Sequence, residues 1–297
     1  MSVLSHTVLP QESGLTVREL LTARFAVSSS LRRALFSREG AILLNGKAIF
    51  LSTNAAAGDV LTVDVSDPEG DSSVVPVDFP LAVLWEDEHL LAVDKPAGIT
   101  VHGAALTEEA VTVAGAAAHY LHSSAVHIVN RLDRGTSGVM LLAKNSYMHA
   151  RCTELLHTEG FCREYVAICE GVPDPAQGII DAPIGRDETS LLRRCMREDG
   201  QRAVTEYEVL SAQLGRALVR LLPHTGRTHQ LRVHMAHIGH PLAGDWLYGT
   251  EDKALITRPA LHSYKLRFTH PLTGEVVKVT APLPQDMERL METPETR

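Results

Sequence analysis

The sequence predicts an α+β protein, in which a small α/β unit precedes a larger domain on a mixed or antiparallel sheet. Three observations lead there. Beyond residue 75 the strand-like segments outnumber the helical ones, and the two do not alternate as regular βαβ units would. A polar, acidic stretch rich in turn formers, Ser66-Asp-Pro-Glu-Gly-Asp-Ser-Ser73, divides the chain. Charge also changes across it, with basic residues gathered before it in an otherwise acidic protein. The expected domains are residues 1–70, including the linker, and residues 71–297.

In the first unit Thr16 and Glu19 have the spacing of a capping box, followed by the apolar positions Leu20, Leu21 and Phe25. A second helix is expected from about Ser30 through Leu31, Ala34 and Leu35, stopped at Gly40. Residues 41–49 read as strand, Asn45-Gly46 turn, strand, and residues 59–65 as a further strand. In the second unit residues 90–94 form a strand that ends in the turn Lys95-Pro-Ala-Gly98, and the Ala-rich residues 109–121 form a helix. The apolar run Val139–Ala143 is a buried strand, Ser146–Leu156 a helix and Cys162–Glu170 a strand. Residues 203–210 and 217–222 pair around Gln213-Leu-Gly215, Arg227–Ile238 is helical, and residues 262–268 and 275–280 form a hairpin.

Composition narrows the function classes. At 297 residues, 44% hydrophobic and 22% charged, the chain is an ordinary globular protein with ample core. No apolar run reaches the roughly 18 residues of a membrane span, and no secretory signal pattern opens the sequence. The four cysteines lack Cys-x-x-Cys spacing, which predicts reduced thiols and a cytoplasmic location. The net charge of −8 argues against a generic polyanion binder, but charge acts locally. Between Leu15 and Phe50 stand Arg18, Arg24, Arg32, Arg33, Arg38 and Lys47 against only Glu19 and Glu39, a local excess of four positive charges. That contrast suits RNA, and equally a solvated helix face.

Two stretches could carry chemistry. In His127-Ile-Val-Asn130-Arg131-Leu-Asp133-Arg134-Gly-Thr-Ser-Gly138 an aspartate lies between arginines beside a buried strand. Alone, Asp133 is as readily an Asx-turn residue as a reactive carboxylate. The second stretch, His224 to Gly249, holds five histidines, but none lies in the His-Glu spacing of metalloproteases, and no acidic residue occurs from Thr225 to Leu242. A catalytic metal is therefore not expected. Arg232, on a helix start, is a candidate partner that would keep Asp133 charged and oriented. Phosphate-binding glycine loops and the Gly-x-Ser-x-Gly elbow are absent, which leaves Ser137 little support as a nucleophile.

Asn130-Arg-Leu-Asp-Arg-Gly-Thr-Ser-Gly138 resembles a signature of the RluA family of pseudouridine synthases, and Gly226-Arg-Thr-His-Gln-Leu-Arg232 through Asp245 is similar to that family's other signature. Asp94-Lys-Pro-Ala-Gly98, Arg163-Glu-Tyr165 and Leu261-His-Ser-Tyr-Lys-Leu-Arg-Phe support it, in the family's order. Asn130 departs from the histidine usual there. The resemblance implies a pseudouridine-synthase-like fold, with an N-terminal unit similar to the small RNA-binding domain of ribosomal protein S-four. It implies isomerisation of uridine in RNA, with structured ribosomal RNA the expected substrate and transfer RNA the alternative. Asp133 is then the catalytic aspartate, Arg232 its partner and Tyr165 the ring stacked on the target base. Arg131, Arg134, Gln230, His229, Thr228 and Lys95 are expected to bind substrate, and Arg24, Arg32, Arg33, Arg38 and Lys47 to hold RNA. No metal or organic cofactor is implied, and the protein is expected to be a monomer. Two competing readings are an inactive RNA-binding or ribosome-assembly protein on the same scaffold and a metal-dependent hydrolase using the histidines.

Overall fold

The computed structural model describes residues 2–67, 74–103, 111–123, 125–156 and 158–292. The first 65 residues form β1 (Val3–Thr7), α1 (Val17–Phe25), α2 (Ser29–Phe36), β2 (Ile42–Leu44), β3 (Lys47–Ala48) and β4 (Val60–Asp64). The strands make an antiparallel sheet in the order β1-β4-β2-β3. The capping box is present: Thr16 Oγ1 accepts from Glu19 N while Glu19 accepts from Thr16 N. Ser28 caps the second helix, so it begins a residue or two earlier than its apolar positions suggest. Leu20, Leu21 and Phe25 pack on Leu61 and Val63 of β4. Tyr147 joins this cluster from the larger unit, and its hydroxyl donates to the Phe25 carbonyl at 2.7 Å. The linker expected at 66–73 lies largely outside the described residues, but Asp67 anchors its start by accepting from the Ser146 amide and bonding His127.

The larger unit contains β5 (Ala82–Glu86), β6 (Leu90–Lys95), α3 (Val113–Tyr120), β7 (His127–Ile128), β8 (Ser137–Ala143), α4 (Ser146–Leu155), β9 (Phe161–Glu170) and β10 (Gln177–Asp181). It continues with β11 (Ile184–Arg186), β12 (Arg194–Met196), β13 (Val204–Gln213), β14 (Arg216–Pro223), α5 (Gln230–His237), β15 (Leu261–Thr269), β16 (Val276–Thr280) and α6 (Gln285–Glu288). The main sheet runs β10-β13-β14-β9-β15-β8-β6-β5, with β16 on β15 and β7 on β8. It is antiparallel except where β15 meets β8 in parallel, so the expected mixed sheet is what forms. The N-terminal part of the helix expected at 109–121 falls partly outside the described residues, and the described helix starts at Val113 behind its Thr112 cap.

The central strand β8 explains its own composition. Met140 and Leu142 enter one core layer with Leu91, Val93 and Tyr165, while Val139, Leu141 and Ala143 enter the opposite layer with Met148, Phe161 and Phe268. A strand covered on both faces reads as an unbroken apolar run rather than an alternation. Each such side chain adds roughly 1.5–3 kcal/mol by leaving water, which makes β8 a rigid support for the loop that precedes it.

Candidate active site

That loop, residues 130–137, is held from below by two buried cations. Lys95, fully buried, donates from Nζ to the carbonyls of Pro96, Arg134 and Thr136 at 2.9, 3.2 and 2.9 Å. Arg258 donates from Nη1 to the Gly135 carbonyl at 3.2 Å and is itself fixed by Asp286 through Nε and Nη2. Three successive loop carbonyls are thus taken by positive charge. Burial pulls the Lys95 pKa down to about 8, against the attraction of Asp133. The expectation that Lys95 contacts substrate is therefore corrected: tertiary packing turns it under the loop, out of the cleft.

Asn130 fastens the other end, its Oδ1 accepting from the Leu141 amide at 2.8 Å. Its Nδ2 is buried without a hydrogen-bond partner. Gly138 closes the turn at φ +108°, where an added Cβ would run into the backbone carbonyl of Ser263 on β15. Gly138→Ala is expected to destabilise the fold by roughly 3–5 kcal/mol, from a strained φ and an overpacked strand contact. Urea titration would measure it, and a loss below 1 kcal/mol would show that β8 can shift away from β15.

The loop presents Asp133 to a cleft of about 670 Å³ that runs between residues 128–136, β9 and residues 223–232. Among the described residues that line it Asp133 is the one carboxylate, against Arg131, Arg163, Arg227 and Arg232. The Asp133 side chain is one-third exposed, and Oδ2 lies 3.9 Å from Arg232 Nη1 and 4.0 Å from His229 Nε2. Tyr165 borders the same cleft from β9, and burial pushes its phenol above the ordinary range.

Arg232 faces Asp133 as expected, but through one nitrogen. Its fork is spent on Asp245, with Nε and Nη2 each 2.7 Å from a carboxylate oxygen, and only Nη1 is left toward Asp133. Burial opposes the guanidinium charge, but its hydrogen bonds to Asp245, together with the negative charges of Asp245 and Asp133, outweigh burial and hold the arginine pKa up. Asp245 is fully buried and also accepts from the amides of Leu247 and Tyr248. Asp245 stands inside the second signature, but no local rule marks a pair of residues thirteen apart, so its role is not legible there.

The helix expected from Arg227 starts at Gln230, because His229 adopts the left-handed region at φ +58°. A non-glycine residue there is uncommon and recurs at functional sites. The conformation brings the His229 imidazole to the cleft beside Asp133. Gln230, expected on substrate, is saturated by the fold. Its Oε1 accepts from Thr225 Oγ1 and the Arg227 amide, and its Nε2 donates to the Val204 carbonyl and Thr205 Oγ1. Thr228 and Arg131 are exposed on the cleft lining, and Arg134 points back to the Gly98 carbonyl at 2.9 Å.

Two other histidines of the second stretch have structural partners. His234 bonds Thr205 and the Ala182 carbonyl, and His240 bonds the Glu170 carbonyl. Ser137 bonds His262 at 2.9 Å, but both are buried and burial pushes the histidine pKa down to about 4. That pair is a core contact beneath the loop and does not reach the cleft.

The description "RNA pseudouridylate synthase" belongs to the family that matches residues 89–237. The uncharacterized RNA pseudouridine synthase YjbO of Bacillus subtilis is 36% identical, over 94% of this chain and 99% of that protein. Ribosomal large subunit pseudouridine synthase D of Xanthomonas campestris is 34% identical over 98% of this chain and 92% of its own length. Among solved structures, human RNA pseudouridylate synthase domain containing 4 has a TM-score of 0.58 at 28% identity, covering 72% of this chain and 95% of that one. Sequence and fold agree, and the chain belongs to the RNA pseudouridine synthase family.

Proposed function

We propose that this enzyme isomerises uridines in structured ribosomal RNA, with Asp133 as the catalytic carboxylate. The isomerisation cuts the bond from the sugar to the uracil nitrogen, turns the base, and joins the sugar to a ring carbon. The observation that carries the residue assignment is the one carboxylate among the described residues of a cleft that also holds four arginines, on a loop immobilised from three sides. The arginines suit a polyanion that the acidic protein as a whole would repel. A uridine inside folded RNA must be extruded before its sugar is accessible. Tyr165 offers the flipped base an aromatic wall, and exposed Arg131 at the rim can occupy the space it leaves. Ribosomal RNA is favoured because several relatives are named for the large ribosomal subunit. The test is to map pseudouridines in total RNA from cells lacking the protein, and then to restore the missing ones in vitro on the naked transcript. Unchanged ribosomal RNA would overturn the substrate assignment.

The first 65 residues serve in this proposal as an RNA-holding domain of the S-four type. Exposed Arg33 and Lys47 with half-buried Arg32 are the contacts, and Phe50, 75% exposed and close to Lys47 along the chain, offers a stacking face. Arg24 and Arg38 serve the fold instead: Arg24 pairs with Glu12, and Arg38 ties Asp64 to the Ser66 carbonyl. Replacing Arg32, Arg33 and Lys47 together by Gln is expected to flatten the salt dependence of RNA affinity by about 2–3 units of log–log slope. Turnover of a short stem-loop should persist. An unchanged slope would return these charges to simple solvation.

A further inference from the structure

Tyr248 has no part in the proposed chemistry, yet it touches both His229 and Arg232, the two basic groups that form ion pairs with Asp133. Its hydroxyl lies 2.8 Å from His229 Nδ1 and accepts from the Arg194 amide, also at 2.8 Å. Its ring lies 5.0 Å from the Arg232 guanidinium carbon and stands edge-on to the His229 ring, 78° between planes. Arg193 approaches the same ring at 5.9 Å.

The Arg194 amide can only donate, so the Tyr248 oxygen accepts there and its own hydrogen is left to give. His229 Nδ1, 2.8 Å away, stands in position to accept it. A neutral imidazole that accepts at Nδ1 carries its proton on Nε2, and Nε2 is the atom 4.0 Å from Asp133 Oδ2. Burial keeps the ring below its ordinary pKa, with Asp133 and Asp245 opposing and Arg232 and Arg194 reinforcing. We infer that Tyr248 is a positioning residue that sets the His229 tautomer, so that a neutral Nε2–H and Arg232 Nη1 both face Asp133. This inference rests on Asp133 being the catalytic carboxylate.

The arrangement also gives the β11–β12 hairpin a route to the chemistry. Arg194 opens β12, and its amide supplies the hydrogen bond that commits the Tyr248 hydroxyl to His229.

The experiment uses the full chain with ¹⁵N-labelled histidine, and long-range nitrogen–proton correlation reads the tautomer of His229 directly. The expected spectrum shows Nε2 protonated in the parent and a mixed or Nδ1-protonated ring in Tyr248→Phe. Single-turnover conversion of a stem-loop RNA should fall about tenfold in Tyr248→Phe, the worth of one neutral hydrogen bond, with KM within about twofold. His229→Gln places an amide N–H near the Nε2 position and should recover more of the rate than His229→Ala. In the His229→Ala background, Tyr248→Phe should cost nothing further. An Nδ1-protonated ring in the parent overturns the inference, as does an undiminished rate in Tyr248→Phe or an equal loss in both backgrounds. Because the tautomer is read without turnover, it stands or falls separately from Asp133, whose role is judged by the activity of Asp133→Asn.

Discussion

Asp133→Asn is expected to fold like the parent and to lose pseudouridine formation by about 10³-fold or more. The argument for intact folding is that the loop does not hang on this carboxylate. Its carbonyls at 134, 135 and 136 are held by Lys95 and Arg258, and its turn is closed by the Thr136 amide on the Asp133 carbonyl, a main-chain bond that asparagine keeps. The side chain is one-third exposed and 3.9 Å from its nearest cation, so the lost ion pair is worth no more than about 1 kcal/mol. The argument for lost chemistry is that no other carboxylate among the described residues lines the cleft. Whether the aspartate attacks the sugar or removes a proton from it, the amide can do neither. Thermal unfolding and uridine conversion measured on one preparation give both halves. A folded variant that converts uridine within tenfold of the parent rate would remove Asp133 from the mechanism.

Much of this arrangement was legible in the sequence wherever a local rule dominates. The Thr16–Glu19 capping box and the Asn45-Gly46 hairpin are set by residues at fixed short offsets, and they appear as expected. The run Val139–Ala143 shows burial on two faces by its composition alone. The strands that were missed lack such marks. The edge strand β1, with Ser5 and His6 in its middle, exists because β4 pairs with it. β5 is only half-buried and carries a register shift at Val83–Trp85. The short β11 and β12 form a two-stranded sheet apart from the main one. The same distinction divides the site. The Asp133 loop and Arg232 stand in signatures that can be read, whereas the roles of Lys95, Asp245 and Arg258 arise from folding. A lysine in a Lys-Pro-Ala-Gly turn is ordinarily solvent-exposed, and only the approach of residues 134–136 makes burying its charge possible. Asn130 is intermediate: its amide does hold the loop to β8, yet its unpartnered Nδ2 marks a position whose polar needs the fold meets only in part.

Asp245→Ala is expected to damage both stability and activity, and the two losses can be separated. Arg232 is 6% exposed, and burying a guanidinium is tolerable only because Asp245 takes two of its nitrogens at 2.7 Å. Removing the carboxylate leaves a buried cation without its partner, at a cost of about 3–5 kcal/mol. The nearest remaining carboxylate is Asp133, 3.9 Å away, so the freed guanidinium is drawn to the residue whose electrostatics it should only tune. Activity should therefore fall by more than instability alone would explain. The double variant Arg232→Met with Asp245→Leu tests this. Apolar side chains of similar volume can replace a buried ion pair at little cost, so urea titration should place it within about 2 kcal/mol of the parent. Its rate should nevertheless stay about 10²-fold down or lower, because the charge facing Asp133 is gone. Recovery of stability without recovery of activity would assign the Asp245–Arg232 pair to the orientation of Asp133. A stable and active double variant would make the pair structural only, leaving His229 as the remaining group within 4.0 Å of the Asp133 carboxylate.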